Sequence, residues 1–528
     1  MIDPDTFHDL QEEVIYWAKE YMNENPLILS KLNYIDEITS AIYQVVYYHW
    51  EDYGIFNSWS EEDTISFIKY QVKQNVPKRY YTTSFPYSNA TSLVSSTNTS
   101  SSPVRPIETP ETIENTEIET TKKIEKIIKR VKELQEIDKQ NPKQGTKEWL
   151  NQRHNMVTAS SISKLFNSQA QYQSIIKEKS TPNLKQEYEQ DKTRGPAPLV
   201  WGHKYEPITI EIYEHLTDEK VLSLGCIPHT QYPFLGASPD GIVSPFEEDN
   251  TSRKRAGRLL EIKNPISRVI DGIPSESYWI QQQIQMEVCD MDGCDFLETQ
   301  FKEMDENDFY SSFYKHEDSP TQNPTTTSEI SQNIIQNETE EIETKEDLCY
   351  TGVILYYQSY QWGDKYPKLK YLYLPPFTYF DSISDYSHNQ YSSSDEEEEP
   401  LMEDSSDVSD VEQTEKQTEK PKEIKTRTWM NIKTKEMFTS LESFQQHIQS
   451  QTPQTHPDFP EYTILKKEFW KLKTLSLVYV PRNKEWFQSA QPVIEKAWET
   501  ILQNRNSQTQ NSTQNSILNF IDIIKQDE

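Results

Sequence analysis

Glycine, cysteine and long apolar runs are all scarce in this 528-residue chain, which has only 12 glycines and 4 cysteines. Because the cysteines show no CxxC spacing, the sequence argues against a disulfide scaffold or a zinc ribbon and indicates a reducing compartment. No apolar stretch approaches ~18 residues, so no membrane-spanning helix is expected. The opening segment, MIDPDTFHDL, is acidic and lacks the apolar core of a signal peptide. We therefore expect an intracellular protein that is neither secreted nor bound to a membrane.

Hydrophobic residues are also scarce, at 34%, and the mean hydropathy is −0.84. A single compact globule of this length needs more apolar material, so part of the chain is predicted to be disordered. The formal net charge of −32 argues at face value against nucleic acid as a partner. Residues 301–425, however, hold 10 Lys+Arg against 29 Asp+Glu, whereas residues 141–300 hold 17 against 22. The acidity therefore says little about a local binding groove.

Hydrophobic periodicity and composition divide the chain into eight segments. The fold class predicted for the whole is α/β (α+β), with helices and strands interspersed with long insertions. The segments are a helical N-terminal domain (1–82), a disordered Ser/Thr linker (83–116), a core (117–302), an acidic insertion (303–347), a strand pair (348–380), a disordered acidic segment (381–427), a closing strand and helix (428–504) and a flexible tail (505–528).

The residue types best suited to metal binding and catalysis are concentrated in two short stretches, FLGASPDGIV and RLLEIKNP. Side chains alternate between the faces of a strand, so Glu261 and Lys263 share one face while Leu260 and Ile262 point into the core. Burying an unpaired carboxylate and amine would cost several kcal/mol, whereas metal catalysis gives both a use.

An antiparallel hairpin of DGIV with RLLEIK would bring Asp240 beside Glu261. Two carboxylates and a backbone carbonyl then form an oxygen site suited to Mg²⁺ or Mn²⁺. The alternative is that SPDG is an ordinary turn, which Pro-Asp-Gly favours in any case.

Four segments in order resemble the YqaJ-like viral recombinases, the family of lambda exonuclease within the PD-(D/E)XK nuclease superfamily. They are GTKEWLNQRHNMVTASSISKLF, WGHKYEPITIEIY, the pair LGASPDGIV and LLEIKNP, and SYWIQQQIQMEV. The resemblance implies a restriction-endonuclease-like core with a mixed central sheet flanked by helices. It also implies a Mg²⁺-dependent DNA exonuclease, acting 5′ to 3′ on duplex ends in recombination, replication or repair.

By this resemblance, Asp240, Glu261, Lys263 and Gln283 are the catalytic residues, and Glu206, Asp240, Glu261 and the carbonyl of Ile262 hold the metal. Without the family, a solvated acid near a helix start is the preferred interpretation of Glu206. The residues alone do not choose among Gln281, Gln282, Gln283 and Gln285; the family motif selects Gln283.

Arg153 and Ser160 match the residues that grip the terminal 5′-phosphate in the resembled enzymes. A guanidinium and a hydroxyl suit phosphate oxygens, although helix capping and a surface arginine explain the same pattern. The basic run SRKRAGR (252–258) is either a solvated loop or a phosphate contact.

The tail segment QNSILNFI is similar to sliding-clamp-binding peptides, with Gln514, Ile517 and Phe520 as the contacts. Besides DNA ends and a clamp, the resemblance implies a single-strand annealing protein as partner and a homo-oligomeric ring trimer. If the protein is viral, it belongs in the host cytoplasm or at a viral replication site. The alternatives are an endonuclease of the same superfamily and a non-catalytic DNA-end-binding or interaction protein.

Overall fold

The structure is a computed structural model. It describes most of the chain. The described residues are 4–51, 56, 59–83, 110–144, 146–182, 197–246, 253–313, 349–360, 367–384 and 424–526.

The described residues fall into two compact units. The first comprises residues 1–302, 342–347 and 472–528, and the second comprises residues 303–341 and 348–471. Each unit has its own apolar core.

The first unit begins with three helices and a short strand. Helix α3 starts with a capping box, in which the Ser60 hydroxyl accepts from the Asp63 amide while the Asp63 carboxylate accepts from the Ser60 amide. Both contacts satisfy free amides of the first turn. The elements are α1 (Pro4–Glu24), α2 (Tyr34–Glu51), α3 (Glu61–Asn75) and β1 (Tyr81–Thr82).

Helices and short strands follow in the region that carries the motifs. They are α4 (Pro110–Gln140), α5 (Lys147–His154), β2 (Val157–Thr158), α6 (Ala159–Ile162), α7 (Gln169–Ser180), α8 (Ala197–Thr217), β3 (Val221–Leu222), β4 (Ile227–Pro228), β5 (Leu235–Ala237), β6 (Gly241–Val243), β7 (Leu259–Lys263), α9 (Glu276–Cys289) and β8 (Gly293–Met304). Helix α4 begins inside the stretch predicted as linker. Strand β2 pairs parallel with β5, and β5 pairs antiparallel with β4.

The sheet of the first unit has the strand order β3-β6-β7-β8-β15, where β15 spans Phe459–Pro481 and joins this unit from Leu472 onward. Strands β6 and β7 are antiparallel, whereas β7 and β8 are parallel. The sheet is therefore mixed, as predicted. The last helix, α12 (Lys484–Gln526), continues through the stretch predicted as a flexible tail.

The second unit contains α10 (Glu306–Ser311), β9 (Tyr350–Ser359), β10 (Lys368–Tyr373), β11 (Phe377–Ser384), β12 (Ile424–Asn431), β13 (Met437–Phe438), α11 (Leu441–Ser450) and β14 (Thr455–His456). Its strands pair antiparallel in the order β13-β12-β11-β9-β15, with β10 also paired to β9 and β14 to β15. Its core is rich in aromatic residues and includes Phe309, Trp429 and Phe444.

These elements confirm the mixed α/β class and the helical character of the N-terminal region. The predicted strand pair is also present, as β9 and β10. Most of the predicted acidic insertion and most of the predicted acidic disordered segment lie outside the described residues. No helix in the described part of the chain is long and apolar enough to cross a membrane.

Candidate active site

The hairpin predicted between DGIV and RLLEIK is present, because β6 and β7 pair with Gly241 opposite Leu260. Asp240 lies just before β6, where its amide donates to the Leu260 carbonyl across 3.0 Å. Its carboxylate Oδ2 accepts from the Ile262 amide at 2.6 Å. These two hydrogen bonds fix the aspartate beside the strand that carries Glu261 and Lys263.

A glycine is required after Asp240 because β3 approaches the backbone closely. A Cβ on Gly241 would lie 2.3 Å from Val221 Cγ1 and 3.3 Å from the Leu222 carbonyl oxygen. Real Cβ atoms do not approach other heavy atoms to 2.3 Å. The glycine of the Pro-Asp-Gly stretch is therefore explained by strand packing next to the site, which the turn interpretation does not require.

The two faces of β7 separate as the alternation predicted. Leu260 and Ile262 are buried in an apolar cluster with Val243, Leu297 and Tyr213. Glu261 points to the other face, where only 1% of it is exposed. A nearly fully buried carboxylate must be hydrogen-bonded or neutralised by neighbouring charge.

Three side chains satisfy the Glu261 carboxylate. The Lys263 ammonium forms an ion pair with Oε1, and the Gln281 amide donates to the same oxygen at 2.7 Å. The Gln285 amide donates to Oε2 at 2.6 Å. Gln281 and Gln285 are one helical turn apart on α9, so both reach the same carboxylate.

The charges in this pocket perturb one another. Burial raises the pKa of Asp240 well above its usual value, and the Glu261 and Glu206 carboxylates raise it further. Burial alone would lower the pKa of Lys263, but Glu261 and Asp240 outweigh burial and raise that pKa. Lys263 is therefore held as a cation, and Asp240 resists ionisation unless positive charge is added nearby.

A divalent cation would supply that charge, and the chemistry of the donors suits one. Carboxylate and carbonyl oxygens are the ligands that Mg²⁺ and Mn²⁺ prefer. Glu206, on α8, acts electrostatically on Asp240, and its carboxylate also lies 3.9 Å from His203 Nδ1. Within the described residues, no three His, Cys, Asp or Glu side chains lie close enough together to hold a metal ion. The three-carboxylate site thus stays a prediction.

The selection of Gln283 as the catalytic glutamine does not agree with the contacts in this structure. Its amide donates to the Pro481 carbonyl at 3.0 Å, and its Oε1 accepts from the Asn483 amide at 2.7 Å. A helix turns by 100° per residue, so Gln283 lies on a different face of α9 from Gln281 and Gln285. The glutamines that contact the Glu261 carboxylate are Gln281 and Gln285.

Arg153 lies next to the segment that leads to Asp240. Its guanidinium Nη1 donates to the Ser238 hydroxyl at 3.4 Å, two residues before the aspartate, and it packs over the Trp149 ring at 4.8 Å. Ser160 is exposed, and its hydroxyl lies 3.3 Å from that of Thr158. Thr158 is paired to Gly236 through β2 and β5. Both predicted phosphate-binding residues are thus connected to the strand-turn segment that ends in Asp240.

Asn264 is a residue that the sequence reasoning did not single out, although it directly follows Lys263. Its Oδ1 accepts from Thr209 at 2.9 Å and from Thr299 at 2.5 Å, and its amide donates to the Gly202 carbonyl at 3.3 Å. These bonds connect the end of β7 to α8, the helix that carries Glu206. The sequence feature that could have identified Asn264 is its position directly after the Glu-x-Lys motif.

The basic run before β7 serves a structural purpose at two of its arginines. Arg255 and Arg258 bind the two oxygens of Asp295, at 2.7 and 3.0 Å. Asp295 is fully buried and also accepts from the Tyr213 hydroxyl at 2.7 Å. The two guanidinium groups therefore neutralise a buried carboxylate.

The proposed clamp peptide lies within α12. Its side chains, including Gln514, Ile517 and Phe520, are outside the described part of the chain, so this interpretation stays a prediction.

Comparison with known proteins confirms the family resemblance. Residues 148–292 match the model of the YqaJ-like viral recombinase domain. An uncharacterized protein of Acanthamoeba polyphaga mimivirus is 35% identical over an alignment of 186 residues, which covers 33% of this chain and 31% of that protein. The match thus spans less than a third of the mimivirus protein.

Two solved structures of the alkaline exonuclease LHK-Exo from Laribacter hongkongensis are also similar. One is 28% identical and covers 29% of this chain and 74% of the exonuclease, with a TM-score of 0.24. The other, in complex with dAMP, is 25% identical and covers 31% and 75%, with a TM-score of 0.23.

Proposed function

Because residues 148–292 match the YqaJ-like viral recombinase domain, we propose that the chain is a Mg²⁺-dependent DNA exonuclease that degrades duplex ends from 5′ to 3′. The observation that carries the proposal is the position of Asp240 against β7, with its carboxylate on the Ile262 amide at 2.6 Å. That contact brings an acidic residue beside the buried Glu261 and its partner Lys263. A structural turn alone would not need this concentration of charge.

Each residue has a distinct part in the proposed reaction. Asp240, Glu261, Glu206 and the Ile262 carbonyl would hold the cation, which supplies positive charge at the scissile phosphate when bound. Lys263 would orient the attacking water and offset phosphate charge. Gln281 and Gln285 fix the direction of the Glu261 carboxylate.

End recognition is assigned to Arg153 and Ser160. A guanidinium can donate two hydrogen bonds to a terminal phosphate, and a hydroxyl adds a third. We infer that the two residues select a 5′-phosphorylated end and hold it at a fixed distance from Lys263.

The test is a digestion assay with purified protein on linear duplex DNA carrying either 5′-phosphate or 5′-hydroxyl ends, and on a covalently closed circle. With Mg²⁺, the 5′-phosphorylated duplex should be resected and the circle left intact. Chelation should abolish activity, and Lys263→Ala should reduce it by about 100-fold or more. The matched control is Lys139→Ala, which removes an exposed lysine of a surface pair on α4 and should leave the rate unchanged.

Digestion of the closed circle would establish an endonuclease instead. If Asp240→Ala protein degraded DNA as fast as the unaltered protein, the site would not be catalytic, and a DNA-end-binding role would be the better account.

A further inference from the structure

The N-terminal region lies outside the residues that match the recombinase domain, yet it belongs to the same compact unit. Its helices α1 to α3 share one apolar core, in which Leu10, Ile38 and Ile68 are fully buried. After α3 the chain continues into β1, which pairs antiparallel with β15 at Tyr479 and Val478. The region is therefore built into the sheet that carries the candidate site.

Several of its hydrogen bonds reach the start of α9 and the residues just before it. The Leu32 amide donates to Glu276 Oε1 at 3.0 Å, and the Trp279 indole donates to the Arg79 carbonyl at 3.1 Å. The Arg79 side chain in turn donates to the Pro274 carbonyl at 3.3 Å and packs over the Trp279 ring at 5.5 Å.

Arg79 is unusually buried for an arginine, with 4% of its surface exposed, and Trp279 is 1% exposed. Burial lowers the pKa of Arg79, whereas the Glu276 carboxylate partly offsets that effect. Desolvating a guanidinium is unfavourable. The burial of the Arg79 guanidinium is explained if this side chain fixes the position of the Pro274–Trp279 segment.

Helix α9 is the element that places Gln281 and Gln285 on Glu261. Trp279 precedes Gln281 by two residues, so the contact with Arg79 lies within one helical turn of the active-site glutamine. The helix is held on another face by Gln283, which binds Pro481 and Asn483 at the end of β15. The N-terminal region contacts both elements, α9 directly and β15 through β1.

We propose that Arg79, at the end of the N-terminal region, is a positioning residue of the active site. The inference rests on the proposed nuclease function. Arg79 acts through Trp279 and the first turn of α9 to set the distance of Gln281 and Gln285 from Glu261. Shifts of about 1 Å in such an arrangement are sufficient to lower a rate by about 100-fold.

The test compares Arg79→Met, Arg79→Lys and Val46→Ala in the full chain. Arg79→Met keeps length and apolar bulk but removes the charge and donors. Val46→Ala weakens the N-terminal core at a fully buried position and removes no contact named above with α9. The measurements are kcat and KM on a 5′-phosphorylated duplex with saturating Mg²⁺, and amide hydrogen exchange of residues 276–289.

Arg79→Met should lower kcat by about 10- to 100-fold, the range typical of groups that orient catalytic ligands, with KM for DNA ends near its original value. Exchange in α9 should increase. Arg79→Lys should keep a larger part of kcat than Arg79→Met does. Val46→Ala should leave kcat and α9 exchange unchanged at temperatures well below its Tm.

Unchanged kcat and unchanged α9 exchange in Arg79→Met would overturn the inference, as would an equal loss of kcat in Val46→Ala. If Arg79→Met fails to fold, Glu276→Ala, which removes the contact with Leu32, takes its place with the same expected results. Absence of nuclease activity in the unaltered protein would refute the proposed function, whereas the exchange measurement would still decide whether Arg79 holds α9.

Discussion

Gln285 donates its side-chain amide to Glu261 Oε2 across 2.6 Å, and both residues are almost completely buried. With Gln281 on the other oxygen, the carboxylate is held in one orientation by two neutral donors from α9 and one cation from β7. A carboxylate held in this way has little rotational freedom to lose when it binds a cation. Hydrogen bonds of this kind to acidic ligands are typical of metal and phosphoryl-transfer sites.

Replacing Gln285 by Leu should therefore reduce kcat by about 10- to 100-fold, because the carboxylate loses a fixed donor. Gln283→Leu is the matched control on the same helix. It loses bonds to Pro481 and Asn483, so its Tm should fall, and kcat should fall less than in Gln285→Leu because Glu261 keeps all three of its donors. The measurement is initial-rate digestion of a 5′-phosphorylated duplex, with Tm recorded for each variant. A larger loss of kcat in Gln283→Leu would favour the glutamine that the family motif selects.

The contrast between these glutamines shows how far the sequence alone could lead. Strand alternation was sufficient to predict the opposite faces of Glu261 and Leu260, and the polar loop between the stretches was sufficient to predict the antiparallel hairpin. Both depend on short-range geometry with a fixed period of two. The choice of glutamine depends on which way α9 is turned on the sheet, and four glutamines close together give no apolar stripe from which to read that orientation.

The arginines before β7 show the same limit. A basic run beside a nuclease motif suggests phosphate contact, but the buried partner Asp295 is 37 residues away from Arg258, in the strand β8. The pairing of β7 with β8 brings the two together. Only the sheet order, which is a tertiary property, could identify the arginines as partners of that carboxylate.

Arg153→Met should abolish the preference for 5′-phosphorylated ends. The guanidinium is the predicted phosphate ligand, and its present contact with Ser238 at 3.4 Å is long enough to be exchanged for a phosphate oxygen. KM for 5′-phosphorylated duplex should rise toward the value for 5′-hydroxyl duplex, while kcat at saturation changes less. Arg505→Met, which removes another partly buried arginine contacting His154 and Asn155, controls for general destabilisation. A preserved preference for phosphate would exclude Arg153 from end recognition.

The burial of Lys179 leads us to expect that the free energy of unfolding changes with pH in a specific range. Lys179 is 6% exposed and donates to the Arg153 carbonyl at 2.8 Å, and burial, aided by Arg153 and Arg505, lowers its pKa from 10.5 to about 8. In the unfolded chain the lysine keeps its proton up to about pH 10.5, so between pH 8 and 10.5 the unfolded state binds more protons. Its presence therefore destabilises the fold below pH 8, and that effect fades as the pH rises to 10.5.

Lys179→Met should accordingly raise Tm relative to the unaltered protein at pH 7, and the difference should shrink between pH 8 and 10.5. The change corresponds to about 3 kcal/mol across this interval. Thermal unfolding of both proteins at several pH values provides the measurement. A Tm difference that is independent of pH would mean that Lys179 titrates normally in the folded protein.

Arg255→Met should destabilise the fold without weakening the electrostatic part of DNA binding. It leaves the fully buried Asp295 with one guanidinium and one hydroxyl, and breaking a buried ion pair typically costs about 3–5 kcal/mol. Lys254→Met, at an exposed position in the same turn, should leave Tm nearly unchanged. For DNA binding, the slope of log K against log salt concentration should stay the same in Arg255→Met, since this guanidinium neutralises a carboxylate and releases no phosphate counterion. A slope smaller by about one unit together with an unaltered Tm would assign Arg255 to the DNA interface and reverse the structural interpretation of the basic run.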